Sequence, residues 1–317
     1  MRRVSLQRIV VPVFTFFCGI LFSSLFNQNQ ISESSSVSEI KHESLRGEEE
    51  GNVDLLILIV SAPFNTEKRA AVRETWLSHR LDLSASISLK GEHCTLTNST
   101  KNHSEAEKVE YEDLIFLDMK EEYSSLADKV LRMFEVAAES YEFDFVMKVD
   151  DDTFINPYLL DNELKKPMYK NPLLYWGFFD GRAPVLKQGK WAEVSYDLCD
   201  RYIPYALGGG YGLGWRLVKH IARSADMLKL YKNEDVSVGT WLAGVQVTRV
   251  HDERFDTEWQ SRGCLNNFLV MQNRNPDEMR ELWSRISGGK QLCKQEKVVR
   301  KSYAYNWELP PSQCCVR

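Results

Sequence analysis

The stretch Phe143-Asp144-Phe145-Val146-Met147-Lys148-Val149-Asp150-Asp151-Asp152-Thr153-Phe154 constrains this chain more than any other. The apolar positions before the carboxylates read as a buried strand, and three acids in a row end it. Packing alone does not favour such a run, because like charges repel and each carboxylate is costly to desolvate unless paired or bound to a cation. Period-two geometry puts Asp150 and Asp152 on one side if the strand persists that far. In open α/β sheets ligands bind beyond the carboxyl ends of the strands. A hard divalent cation, Mn²⁺ or Mg²⁺, held by one or two carboxylates and by phosphate oxygens of a substrate, fits this arrangement. The alternative is a solvated acidic turn.

Further strands and helices alternate around this one. Asp54 to Ser61 is a continuous apolar run of strand length, as a buried parallel strand reads. A helix follows from Thr66, a candidate N-cap, with Arg69, Arg73 and Trp76 on one face. Two arginines near a strand end could meet a diphosphate; otherwise they form a solvated face with Trp76 docked in the core. Leu114 to Leu117 is a second short strand. Ser124 to Tyr141 is an amphipathic helix. The strand–helix–strand order predicts a parallel α/β sheet, and 43% hydrophobic residues supply a sizeable core.

Beyond the acids, Leu173 to Phe179 reads as a strand. Tyr202 to Gly214 interleaves glycines with aromatics, which marks a close backbone approach. The spacing is neither a P-loop nor a dinucleotide fingerprint. Trp176, Tyr205 and Tyr211 are candidates for contact with a sugar face; a turn packed with tyrosines is the alternative. Glu234-Asp235 precedes an apolar helix start, as a dipole-favoured charge pair or as a general base. Val245 to Val250 alternates as a strand and runs into His251, which at a strand end could complete a metal site.

The N-terminal part is different. Residues 1–8 carry three arginines, and 9–26 are eighteen residues without a charge. At about 1.5 Å per residue these nearly span a hydrocarbon layer of roughly 30 Å. Basic residues on one side only predict a cytoplasmic tail and a lumenal body, so 9–26 is read as a transmembrane signal-anchor rather than a cleaved signal peptide. Residues 27–51, rich in Ser and Glu, read as a disordered stem, leaving 52–317 as the folded lumenal domain. Six cysteines outside the apolar segment suggest disulfides of undetermined pairing. Asn98 and Asn102 each open a glycosylation sequon. The net charge of −5 and the lack of a basic stripe disfavour nucleic acid as a partner.

In order and spacing, Arg69 to Trp76, Asp150 to Asp152, Gly208 to Tyr211 and Glu234 to Gly239 resemble the blocks of the β-1,3-glycosyltransferases of the galactosyltransferase family. Longer stretches, among them 175–182, 198–200, 255–258, 261–264 and 310–315, resemble its glycosaminoglycan linker-region galactosyltransferase II group. The resemblance implies a GT-A-type, Rossmann-like mixed sheet with flanking helices. It also implies a UDP-galactose donor, Mn²⁺, and inverting β-1,3 transfer to the galactose of a galactosyl-xylosyl-serine proteoglycan linker in the Golgi membrane. By the same resemblance Asp152 contacts the metal, Asp150 and Asp151 support it and the ribose, His251 is the metal-side histidine and Asp235 the catalytic base. Apart from the resemblance, Glu234 is the nearest rival for the base and a candidate acceptor contact. Two departures stand out. Gly212-Leu213-Gly214 replaces the family's V-L-S, and Tyr123 to Lys129 lacks the usual Asn and Thr. The competing expectations are a relative acting on another glycan or with UDP-N-acetylglucosamine, and a non-catalytic Golgi lectin or chaperone.

Overall fold

The computed structural model describes residues 55–79, 94–97, 107–111, 113–117, 119 and 123–317. The tail, the apolar segment 9–26, the stem, Asn98 and Asn102 lie outside the described residues. Among those described, no helix is long and apolar enough to cross a membrane.

The protein is mixed α/β. Strands β1 (Leu55–Val60), β2 (Cys94–Thr97), β3 (Leu114–Leu117), β4 (Phe145–Asp150), β6 (Leu174–Asp180), β7 (Tyr205–Gly214) and β8 (Thr248–His251) form one sheet in the order β3-β2-β1-β4-β7-β6-β8. All pair in parallel except β7, which runs antiparallel between β4 and β6. The carboxyl ends of β1, β4, β6 and β8 therefore share one edge, and β7 enters the sheet there. A smaller sheet orders β5 (Phe154–Ile155), β11 (Val270–Met271) and β9 (Phe255–Asp256); β10 (Gly263–Cys264) and β12 (Lys297–Val298) pair separately.

Helices flank the main sheet. They are α1 (Thr66–Glu74), α2 (Leu126–Ser140), α3 (Pro157–Leu164), α4 (Trp215–Arg223), α5 (Glu234–Trp241) and α6 (Pro276–Ser287). The apolar stripe of α2 places Val130, Met133, Phe134 and Ala137 in the core, and α2 packs on α4. Asn65, not Thr66, holds the N-cap position of α1, and its side chain caps nothing. It is spent on the acid triplet instead.

The glycine-rich segment is a central strand rather than a turn. The absence of side chains on β7 lets neighbours close over it. A Cβ at Gly212 would lie 2.2 Å from Phe145 Cζ, and one at Gly214 would lie 2.6 Å from the backbone at Asn171 and Pro172. Both departures in that block thus answer to packing. Disulfides join Cys264 to Cys293 and Cys314 to Cys315, while Cys199 is free and exposed.

Candidate active site

The three acids at the end of β4 meet three different fates. The strand stops at Asp150, so its alternation does not extend to Asp152. Asp150 accepts from Lys148 Nζ at 2.8 Å and from Gln272 Nε2 at 3.2 Å. Asp151 is buried, and both of its oxygens accept hydrogen bonds. It accepts from Ser61 Oγ and Asn65 Nδ2, both at 2.7 Å, and from Lys68 Nζ at 3.1 Å. Asp152 accepts from Lys68 Nζ at 3.2 Å through Oδ2, but its Oδ1 is buried with no hydrogen-bond partner. Burial, then the neighbouring charge of Asp150, push the Asp152 carboxyl above its ordinary range. An orphaned oxygen on an electrostatically stressed carboxylate is the environment a bound cation relieves.

Across the same edge stands the start of α5. Asp235 is partly exposed, and its Oδ2 accepts the Gly208 amide at 3.0 Å while Oδ1 accepts the Val236 amide at 2.9 Å. Its carboxyl is raised, chiefly by desolvation. Glu234 is buried; its Oε1 takes Lys148 Nζ at 2.5 Å and its Oε2 takes the Tyr211 hydroxyl at 3.0 Å. Burial pushes Glu234 up to about 7, against the pull of Lys148. Lys148 therefore touches both acid groups, and burial would depress its ammonium were it not for Asp150 and Glu234, which hold it above the usual lysine value.

The Galactosyltransferase family model matches residues 67–253, a span that contains all of these acids. The chain belongs to the galactosyltransferase family. It is a hexosyltransferase. β-1,3-Galactosyltransferase 6 of Mus musculus is 42% identical over 271 residues, covering 83% of this chain and 82% of that protein. UDP-GalNAc:β-1,3-N-acetylgalactosaminyltransferase 2 of Xenopus tropicalis is 31% identical over 56% of this chain and 36% of its own length. A hydroxyproline O-galactosyltransferase of Arabidopsis thaliana is 30% identical over 75% of this chain and 36% of its own. The chain thus spans little more than a third of these last two. Among solved structures, S. aureus TarS in complex with UDP-GlcNAc overlaps at a TM-score of 0.35, with 14% identity over 63% of this chain and 56% of that one.

In this galactosyltransferase several sequence-predicted site residues are engaged elsewhere. Arg69 is 1% exposed and spends its guanidinium on Glu107, Ser61 Oγ and the carbonyls of Ala62 and Pro63. Arg73 grips Asp113 through two nitrogens and Glu107 through a third. Arg69 adjoins the triplet through Ser61 Oγ, which donates to Asp151. Lys68, a third exposed and facing Asp151 and Asp152, holds the position expected of the two arginines. Asp151 is tied to the β1–α1 connection through both of its carboxylate oxygens.

His251 also departs from expectation. Its Nδ1 accepts the Phe179 amide at 3.0 Å, which places the proton on Nε2, where it meets the Tyr303 carbonyl at 2.8 Å. Burial lowers its pKa and keeps it neutral. No ring lone pair is left for a cation. Among the described residues no three His, Cys, Asp or Glu side chains converge on a metal position. Trp176 and Tyr211 are fully buried, the indole bonded to Asp252 and the phenol to Glu234. Tyr205 is buried at the edge beneath Gly239. Trp176 and Tyr211 are core residues, not acceptor contacts, and Glu234 is bonded inside the protein. Sequence reasoning missed Lys68, Lys148 and Gln272. A lysine inside an apolar strand was the one signal available.

Proposed function

We propose that this galactosyltransferase moves galactose from UDP-galactose, in β-1,3 linkage and with inversion, to the galactose of a galactosyl-xylosyl-serine linker during glycosaminoglycan synthesis. Golgi residence behind a membrane anchor at 9–26 and a GT-A-type description of the fold belong to the same proposal. The 42% identity over most of the chain to a β-1,3-galactosyltransferase supports the donor and the linkage. The observation that carries the mechanism is the single ammonium of Lys148 bonded to both Asp150 and Glu234. That shared partner supports reading Asp150 and the Glu234-Asp235 pair as parts of one site.

An α-linked donor giving a β product requires one in-line displacement at the anomeric carbon. Asp235, with one oxygen fixed by the Gly208 amide, accepts the proton of the attacking 3-hydroxyl as the new bond forms, a contribution of about 10²–10⁴-fold. UDP leaves with the electrons of the broken bond. Asp152, with its orphaned Oδ1, and Asp150 would hold a divalent cation, Mn²⁺ or Mg²⁺, together with phosphate oxygens of the donor. When bound, that ion supplies Lewis-acid stabilisation of the departing phosphate. Lys68 adds a positive charge on the same side. Transfer by the purified chain to a galactosyl-β-1,4-xyloside, with UDP-galactose and Mn²⁺, tests the proposal. Transfer from UDP-N-acetylgalactosamine or UDP-N-acetylglucosamine in preference, or to other acceptors only, overturns the substrate assignment.

A further inference from the structure

Lys148 is the one charged side chain in the interior of β4, between β1 and β7 in the middle of the sheet. At 1% side-chain exposure it pays a large desolvation cost unless every proton is bonded. Every proton is. An ammonium has three donors, and they reach Asp150 Oδ1 at 2.8 Å, the Gly208 carbonyl at 2.7 Å and Glu234 Oε1 at 2.5 Å. Stability does not account for this choice, because an apolar pair filling the space of a buried ion pair is commonly as stable or more so.

The three acceptors come from three elements, and each adjoins a group that the transfer needs. Asp150 lies two residues before Asp152. Gly208 turns its carbonyl to Lys148 and its amide to Asp235 Oδ2. Glu234 precedes Asp235 on α5. A Cβ at Gly208 would lie 2.7 Å from Glu234 Oε1, so a side chain there would press on the same cluster.

We propose that Lys148 is a positioning residue for hexosyl transfer, fixing Asp235 against the acid triplet by holding β4, β7 and the start of α5 on one ammonium. It touches neither donor nor acceptor. The inference rests on the reading of Asp235 as the base.

The test uses the full chain with Lys148→Met, Glu234→Gln and the double variant Lys148→Met/Glu234→Gln, the last removing both charges of the Lys148–Glu234 pair and leaving Asp150 with the Gln272 amide. Displacing a catalytic group by about 1 Å costs about 10²-fold. Lys148→Met is expected to lower kcat by about that factor while UDP affinity, measured by calorimetry with Mn²⁺, changes by less than about tenfold. The double variant is expected to be no slower than the slower single variant, because both changes break one unit. If Lys148→Met fails to fold, the double variant alone carries the comparison. A folded variant lacking Lys148 that turns over within about threefold of wild type overturns the proposal, as do kcat losses that multiply in the double variant. A crystal structure of a folded variant lacking Lys148 gives a readout free of activity. Retention of the Gly208–Asp235 bond there overturns the positioning role, even if the wild type transferred no hexose and the functional reading itself failed.

Discussion

The amide of Gly208 donates to Asp235 Oδ2 at 3.0 Å, so the backbone of a central strand aims the carboxylate proposed to take the acceptor's proton. A base held this way is replaceable in shape but not in chemistry. Asp235→Asn keeps the size and loses the proton acceptor. The expected result is a fall in turnover of about 10²–10⁴-fold with UDP affinity unchanged within about twofold. Radiolabelled transfer and calorimetry on the same preparation check it. Near wild-type turnover removes Asp235 from the mechanism.

The pH dependence follows from the same carboxyl. Desolvation raises the Asp235 pKa, and a general base works only when deprotonated. Activity is therefore full above the raised value and falls as pH drops through it. The acid limb of kcat/KM is expected above the ordinary aspartate value of about 3.9, and Asp235→Asn should abolish that limb along with the rate. A limb at or below the ordinary value contradicts the assignment.

Asp151 and Asp152 are neighbours with opposite expected phenotypes. Asp151 is a buried hub for Ser61, Asn65 and Lys68, so Asp151→Ala should cost about 3 kcal/mol by stranding its partners. Asp152 carries an unpartnered oxygen and is stressed by burial and by Asp150. Asp152→Asn should leave the unfolding midpoint equal or higher, yet weaken Mn²⁺ binding by at least about tenfold. Urea unfolding and Mn²⁺ titration by electron paramagnetic resonance separate the two. Equal Mn²⁺ affinity in Asp152→Asn and wild type removes Asp152 from the metal proposal.

What the sequence made legible was local. An apolar run ending in acids, a charge pair opening a helix, and the alternation of strands and helices are each visible within about ten residues. Lost to it were the partners. Arg69 and Arg73 read as anion ligands because Glu107 and Asp113 lie 34 to 40 residues away. His251 read as a metal ligand because the Tyr303 carbonyl lies 52 residues on. Trp176 and Tyr211 read as sugar platforms because glycines conceal which side of a strand is covered. The antiparallel course of β7 was equally hidden, since a strand's direction is set by its pairing.

The arginines give a prediction that separates structure from binding. Arg69→Met leaves Glu107 to Arg73 alone of the two arginines and removes a donor from Ser61 Oγ and from the carbonyls of Ala62 and Pro63. Loss of about 3 kcal/mol is expected from breaking a buried pair, while the donor KM of the folded fraction stays within about twofold. A tenfold rise in donor KM without loss of stability would restore Arg69 to the donor site.

Gly212 tests why the chain departs from its family at β7. An added methyl would lie 2.2 Å from Phe145 Cζ and 2.5 Å from its Cε1. The ring has little room to retreat, since Tyr169 and Trp176 stand at 5.9 and 6.2 Å between centroids and both are buried. Overpacking of this kind costs about 1–3 kcal/mol, and Gly212→Ala is expected at the upper end. Gly244 has nothing within 4 Å of an added methyl, so Gly244→Ala is the control, neutral or slightly stabilising through the unfolded state. Urea unfolding of both compares them directly. If Gly212→Ala matches the control, the Phe145 ring is free to move, and steric exclusion does not explain the glycine.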